Sequence, residues 1–146
     1  MRKYYTDGHT IGTGGYTIMD SEGVLITTEK AKVIDGHEAE ILGILAALEI
    51  CEKGDCVSTD SMAALSSLNV GRASTKPHLN DCLQKGYEMM YEKGINLMWE
   101  RREFNLAGQF NERMLDYVRN KEGKLPVAVI EELSKKKTLK IRLALA

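Results

Sequence analysis

Three acidic side chains lie at the ends of predicted secondary-structure elements. Side chains at such positions can come together in the fold and act on one substrate or metal ion. Asp7 comes directly after a short β-prone run, Asp60 follows another, and Glu40 lies in the first turn of a predicted helix. In a mixed α/β sheet, sites form outside the carboxyl ends of the strands. If the two strands are parallel neighbours, a helix packed across their ends brings the three carboxylates together.

Carboxylates crowded in this way repel one another and raise one another's pKa, so the arrangement is costly without a cation. Mg²⁺ or Mn²⁺ would offset the cost because hard cations take carboxylate and water oxygens as ligands. Each acid also has an ordinary interpretation: Asp7 as a turn former, Glu40 as a helix-dipole residue and Asp60 as an N-cap. The shared position of Asp7 and Asp60 directly after a strand favours a metal site.

The pattern of the chain predicts the elements that must hold these acids. Alternating or β-prone runs predict strands over residues 3–6, 16–20, 24–28, 56–59 and 95–99. Apolar periodicity, caps and terminal glycines predict helices over about 38–53, 61–68, 77–93 and 108–121. The order βββ-α-β-α-α-β-α predicts an α/β fold with a mixed five-stranded sheet flanked by helices.

The totals are those of one ordinary globular domain. The chain has 146 residues, 43% of them hydrophobic and 28% charged, and a formal net charge of −1. No apolar run approaches the roughly 20 residues of a membrane span, and the opening MRKYYTDG lacks the apolar stretch of a signal peptide. Three cysteines without metal-type spacing favour a reduced, cytoplasmic protein. The charge neither requires nor excludes a nucleic-acid partner.

Four motifs occur in the order and at the distances found in one known family. They are YTDG (5–8) with GGY (14–16), AE (39–40), STDS (58–61) and WERREFN (99–105). Together they resemble the ribonuclease H family, and the last is similar to the W-x-x-R-E-x-N stretch of its type 1-like branch. The resemblance covers about residues 3–120. It implies a ribonuclease H-like fold, with glycines that let the backbone turn at positive φ beside the site.

The resemblance also implies a function. Members of the family cleave the RNA strand of an RNA–DNA hybrid, and their carboxylates hold two divalent cations. The match therefore predicts a metal-dependent endoribonuclease with Asp7, Glu40 and Asp60 as catalytic metal ligands. Glu38 competes with Glu40 because periodicity does not choose between them, but the Ala-Glu pairing of the family motif favours Glu40. The expected substrate-binding residues are Gly8, His37, Arg101 and Arg102.

The fourth acid of the family site has no direct counterpart in the chain. In the type 1-like branch an Asp follows the motif's Asn by four residues, and here that position holds Gln109. A register through residues 111–113 places Leu115 there, one residue before Asp116. We predict Asp116 as the fourth catalytic residue and metal ligand, because it follows Asn-Glu-Arg much as the family acid does, with one extra residue. A helix that starts later than Gly108 would favour this choice further. The alternatives are Glu112, or no acid at all with Gln109 at the family position.

Two alternative functions are compatible with the same fold. One is a catalytically impaired nucleic-acid-binding protein whose site decayed at the fourth carboxylate. The other is a nuclease that acts on a different nucleic acid. We expect the ribonuclease H-like domain to cover residues 1–122, and residues 123–146 to form a helical, basic C-terminal extension.

Overall fold

A computed structural model of the protein describes residues 1–120. The strands are β1 (Lys3–His9), β2 (Gly15–Asp20), β3 (Leu25–Lys30), β4 (Cys56–Thr59) and β5 (Asn96–Trp99). The helices are α1 (Gly36–Ile50), α2 (Met62–Val70), α3 (Asn80–Lys93) and α4 (Leu106–Asn120). This order confirms the predicted α/β class. The predicted extension over residues 123–146, and the end of the predicted 1–122 domain, lie outside the described residues.

The five strands form one mixed sheet in the order β3-β2-β1-β4-β5. β1 pairs antiparallel with β2, and β2 pairs antiparallel with β3, as expected for strands joined by short turns. β1 also pairs in parallel with β4, which in turn pairs in parallel with β5. The carboxyl ends of β1 and β4 therefore meet at one edge of the sheet, where Asp7 and Asp60 are placed.

The sheet separates two hydrophobic clusters. Successive residues of a strand point to opposite faces, and on β2 Ile18 belongs to the larger cluster whereas Met19 belongs to the smaller one. The larger cluster is formed with α1, α2 and α3, and the smaller one lies under α4, where Phe110 and Met114 pack with Met19 and Leu25. The helices α1 and α4 thus cover opposite faces of β1 and β2 and approach the site from both sides. No helix within residues 1–120 is long and apolar enough to cross a membrane.

The end of α1 differs from the prediction. The helix ends at Ile50, because the backbone of Cys51 is extended with φ −65° and ψ 143°, and Gly54 lies in the following turn with φ 84°. The ammonium group of Lys93 on α3 satisfies the carbonyls left free there. It donates to the main-chain oxygens of Leu48 at 2.9 Å, Glu49 at 3.3 Å and Cys51 at 2.9 Å. A side chain 42 to 45 residues away, rather than a local glycine, therefore caps the end of the helix.

The start of α4 also differs, and this difference affects the site. The helix begins at Leu106, because the side-chain oxygen of Asn105 accepts hydrogen bonds from the backbone N–H groups of Ala107 at 3.1 Å and Gly108 at 3.2 Å. Asparagine is a preferred residue at such helix starts. The late start that would have favoured Asp116 therefore does not occur, since α4 begins two residues before the predicted Gly108.

Candidate active site

Asp7, Glu40 and Asp60 lie together at the carboxyl edge of β1 and β4. Asp60 directly follows β4, as predicted. Asp7 lies within β1, which continues to His9, rather than after the strand. Glu40 is in the second turn of α1 rather than the first, because the helix begins at Gly36. One carboxylate oxygen from each lies within 4.8 Å of the other two. Among residues 1–120 this is the one such group of three or more acids, histidines or cysteines. The three carboxylates therefore converge, as the prediction of a metal site requires.

Glu38 makes its hydrogen bonds at the start of α1 and not at the site. Its carboxylate accepts a hydrogen bond from the backbone N–H of Ile34 at 2.8 Å and lies 3.1 Å from Nε2 of His78. Its own N–H donates to the side chain of Asp35, the N-cap residue, at 2.9 Å. The arrangement resembles a capping box, except that the carboxylate accepts from the residue before the N-cap. Glu38 therefore stabilises the start of α1, and Glu40 is the helix acid that faces the site.

Gly8 allows α1 to approach β1 closely. A Cβ atom at this position would lie well under 3.0 Å from main-chain atoms of Ala39 and Glu40. The expectation of positive φ holds at Gly12, with 63°, and Gly14, with 102°, which lie in the turn between β1 and β2, but not at Gly8. The glycine next to Asp7 is therefore explained by space for the helix and not by backbone conformation.

Asp7 and Glu40 are held in an environment that disfavours their charged forms. Burial raises the pKa of Glu40 to about 9, with a further increase from the negative charge of Asp7. Burial also raises the pKa of Asp7 to about 6; a hydrogen bond from Asn111 lowers it, and the charge of Asp60 raises it again. One oxygen of Glu40, Oε2, is buried without a hydrogen-bond partner. Without a cation the site therefore retains protons that the unfolded chain would release.

These pKa shifts predict how stability changes with pH in the absence of metal. Because the folded state binds more protons than the unfolded state above about pH 4, the free energy of unfolding falls as the pH rises through 6 and towards 9. We expect the melting temperature, measured in chelator, to decrease over this range, and Glu40→Gln to flatten the decrease. A melting temperature that rises between pH 6 and pH 9 would contradict this interpretation.

The donor set fits a hard divalent cation. Three carboxylates supply oxygen ligands, and the unpartnered Oε2 of Glu40 is an oxygen for which the protein provides no donor. Mg²⁺ and Mn²⁺ prefer such ligands and would relieve the mutual repulsion of the acids. Asp7 and Glu40 open onto a cavity of about 460 Å³.

Three of the four predicted substrate-binding residues line this cavity: Gly8, His37 and Arg102. Arg101 is exposed and is not among the lining residues. The Nε of Arg102 donates to Glu112 at 3.1 Å, and this hydrogen bond raises the pKa of the guanidinium, as do the negative charges of Asp7 and Asp60. Arg102 therefore places a positive charge beside the acids in the metal-free protein.

Several solved structures share the fold of this chain. No protein-family model and no curated protein sequence matches the chain. RNase H1 from the halophilic archaeon Halobacterium salinarum is similar with a TM-score of 0.59 and 18% identity, over 79% of this chain and 98% of that one. The chain has the ribonuclease H fold. The predicted fold is thereby confirmed.

Two further structures show the same ribonuclease H fold. The N-terminal RNase H domain of rv2228c from Mycobacterium tuberculosis gives a TM-score of 0.54 and 17% identity, over 73% of this chain and 91% of that one. LC11-RNase H1, isolated from compost and solved in complex with an RNA/DNA hybrid, gives 0.54 and 19%, over 72% and 88%. At these identities the comparisons establish the fold alone.

On this ribonuclease H fold, the structure does not bring Asp116 to the three acids. Asp116 is exposed and lies outside both the carboxylate group and the cavity lining, because α4 starts early and Asp116 falls in its third turn. Gln109 is directed elsewhere, and its Nε2 donates to the main-chain oxygen of Glu103 at 2.8 Å. Glu112 lines the cavity but is paired with Arg102.

Two buried asparagines make the contacts that the prediction missed. The side-chain amide of Asn111 donates to Oδ2 of Asp7 at 2.9 Å and to its main-chain oxygen at 3.1 Å. The amide of Asn105 donates to Oδ2 of Asp60 at 2.9 Å and to the main-chain oxygen of Thr6 at 2.9 Å. In the sequence, Asn111 falls among residues 107, 110 and 114 on the apolar face of α4. A buried asparagine needs hydrogen-bond partners, so its position among core residues was the sequence signal from which a role for Asn111 could have been predicted.

Proposed function

We propose that this protein is a metal-dependent endoribonuclease that cleaves the RNA strand of RNA–DNA hybrids. The observation that carries the proposal is the convergence of Asp7, Glu40 and Asp60 on a ribonuclease H fold. The structure of LC11-RNase H1 with an RNA/DNA hybrid supports the same substrate class for this chain. Three acids, a cavity beside them and a relative bound to nucleic acid together favour phosphodiester hydrolysis over another reaction.

Asp7, Glu40 and Asp60 are the residues that would hold Mg²⁺ or Mn²⁺. When bound, such cations supply a nucleophile at neutral pH and stabilise the charge that develops on the phosphodiester oxygens. The chain's own contribution is orientation: Asn111 holds the carboxylate of Asp7, and Asn105 holds that of Asp60. The burial of Glu40 keeps one of its oxygens free of other hydrogen bonds.

The cavity lining suggests how the substrate is bound. Gly8 exposes backbone beside Asp7, and His37 and Arg102 offer hydrogen-bond donors to the cavity. We assign these three residues to the RNA strand, where donors and acceptors that reach a 2′-OH distinguish RNA from DNA. Arg101, on the exposed surface next to Arg102, is assigned to a phosphate contact.

A single assay tests the proposed activity. The purified full chain is incubated with end-labelled RNA–DNA hybrid, duplex RNA, duplex DNA and single strands, each with Mg²⁺, Mn²⁺ or chelator. We expect internal cleavage of the RNA strand of the hybrid with metal and none with chelator. Hybrid binding without cleavage would instead identify an impaired nucleic-acid-binding protein, and cleavage of another substrate alone would identify a nuclease of different specificity.

We also propose a cytoplasmic location. All three cysteines of the chain are free, with Cys51 and Cys56 buried and Cys82 exposed. Unpaired thiols are the usual state in a reducing compartment. The sequence and the thiols support this location together.

A further inference from the structure

Asn111 belongs to a chain of hydrogen bonds that crosses the smaller core. Its Oδ1 lies 2.6 Å from the hydroxyl of Thr17 on β2, and that hydroxyl lies 3.1 Å from the hydroxyl of Thr28 on β3. At its other end the Asn111 amide donates to Asp7 on β1. We name Thr28, Thr17 and Asn111 the threonine–asparagine relay. It connects three strands and α4 to one carboxylate of the candidate site.

Hydrogen-bond donation along the relay runs in one direction, from Thr28 through Thr17 to Asn111. A side-chain amide oxygen only accepts, so the hydroxyl of Thr17 donates its single proton to Oδ1 of Asn111. The oxygen of Thr17 then accepts from the hydroxyl of Thr28. If the amide were flipped, its oxygen would face two acceptors, Oδ2 and the main-chain oxygen of Asp7, at 2.9 and 3.1 Å. The two acceptor oxygens of Asp7 thus fix which side of the Asn111 amide faces the site, and the hydroxyl of Thr17 holds the amide there by donating to its oxygen.

These polar groups occupy an apolar setting. Asn111 is 4% exposed, Thr17 0% and Thr28 6%, and the layer around them contains Met19 and Phe110. Burying hydroxyl and amide groups is costly unless each finds a partner, and here every member of the relay has one. Apolar residues would fill the same space without that requirement. The ordering of a carboxylate is a benefit that an apolar set would not provide.

We propose that the threonine–asparagine relay positions the carboxylate of Asp7 for a divalent cation before the cation binds. Its members are positioning residues and act through Asp7. The inference rests on the metal site of the proposed function, but it concerns how the Asp7 carboxylate is arranged before a cation binds and not the identity of the substrate. Hydrogen-bond partners behind metal ligands typically change metal affinity by about 10–100-fold when they are removed.

The test is the Mn²⁺ affinity of the metal-free full chain, measured by calorimetry. Thr17→Val removes the hydroxyl that orients Asn111, and we expect Mn²⁺ affinity to fall by about tenfold or more. Thr17→Ser keeps a hydroxyl and should retain an affinity near that of the wild type. The matched control is Thr27→Val, because the hydroxyl of Thr27 bonds Glu29 at 2.8 Å outside the relay. This control should bind Mn²⁺ like the wild type.

A purely structural role would lower the melting temperature of Thr17→Val but leave the affinity of the folded protein unchanged, and that outcome overturns the proposal. If Thr17→Val does not fold, Thr28→Val carries the test: a smaller loss of affinity in the same direction supports the relay, and unchanged affinity overturns it.

The proposed nuclease activity is tested independently of the relay. A wild-type protein that binds Mn²⁺ through these acids but cleaves no hybrid contradicts the nuclease activity, while the affinities of the variants still decide the relay.

Discussion

Glu40→Gln is expected to reduce hybrid cleavage by about a thousandfold or more while the protein remains folded. The carboxylate would supply one of three oxygen ligands to the proposed cation, and the charge stabilisation that such a cation provides is worth several kcal/mol in the transition state. A neutral amide is a poor replacement for that ligand. Asp7→Asn and Asp60→Asn should have the same effect, measured as initial rates on labelled hybrid with circular dichroism as the check of folding.

Glu38→Gln is the matched control for this experiment. It makes the same chemical change on the same helix two residues away, but Glu38 contacts Ile34 and His78 rather than the site. We expect cleavage rates near those of the wild type and a loss of stability of about 1 kcal/mol or less, as for other helix-start hydrogen bonds. Wild-type activity in any one of the three acid variants would remove that acid from the proposed site.

Gly8→Ala is expected to cause a large loss of stability. The added methyl group would overlap main-chain atoms of Ala39 and Glu40, which are held within α1 and have no side-chain freedom with which to move away. Overpacking of this kind typically costs about 1–3 kcal/mol and sometimes more. For a domain of this size we expect the melting temperature to fall by roughly 10 °C at the upper end of that range. Any separation of β1 from α1 also displaces Asp7 from Glu40. The cleavage rate should therefore fall by more than the loss of folded protein alone would explain.

Gly36→Ala separates this steric effect from the general cost of replacing a glycine. Gly36 is the first residue of α1, and a Cβ there would meet no atom within 4 Å. Alanine also restricts the unfolded chain more than glycine does, so this control should be neutral or slightly stabilising. Equal melting temperatures for the two variants would show that the close approach at Gly8 does not constrain the fold.

The strand-end acids were predictable because their placement depends on local signals and one rule of topology. Asp7 and Asp60 each follow a short β-prone run, and parallel neighbouring strands end at the same edge of a sheet. The helix between them supplies the third acid, but from its second turn rather than from the predicted first turn. Two carboxylates on β1 and β4 therefore follow from the sequence once their pairing is assumed.

The contribution of α4 was not predictable in the same way. Which of its residues reaches Asp7 depends on how Phe110 and Met114 pack against Met19 on the sheet, and this packing sets the rotation of the helix. Counting residues from Asn105 cannot supply that rotation. The prediction therefore searched for an acid at fixed spacing, whereas the structure places the amide of Asn111 against Asp7.

The contact between Asn111 and Asp7 joins residues 104 positions apart, and this separation has a consequence for synthesis. A ribosome adds about 5–20 residues per second, so Asp7 waits roughly 5–20 s for its amide partner to be made. During that interval the sheet face carrying Met19 and Leu25 lacks the helix that covers it. A nascent chain in this state is a target for chaperones, and it holds its acids without the amides that orient them. The amide that orients Asp7 is thus available only after most of the domain has been synthesised.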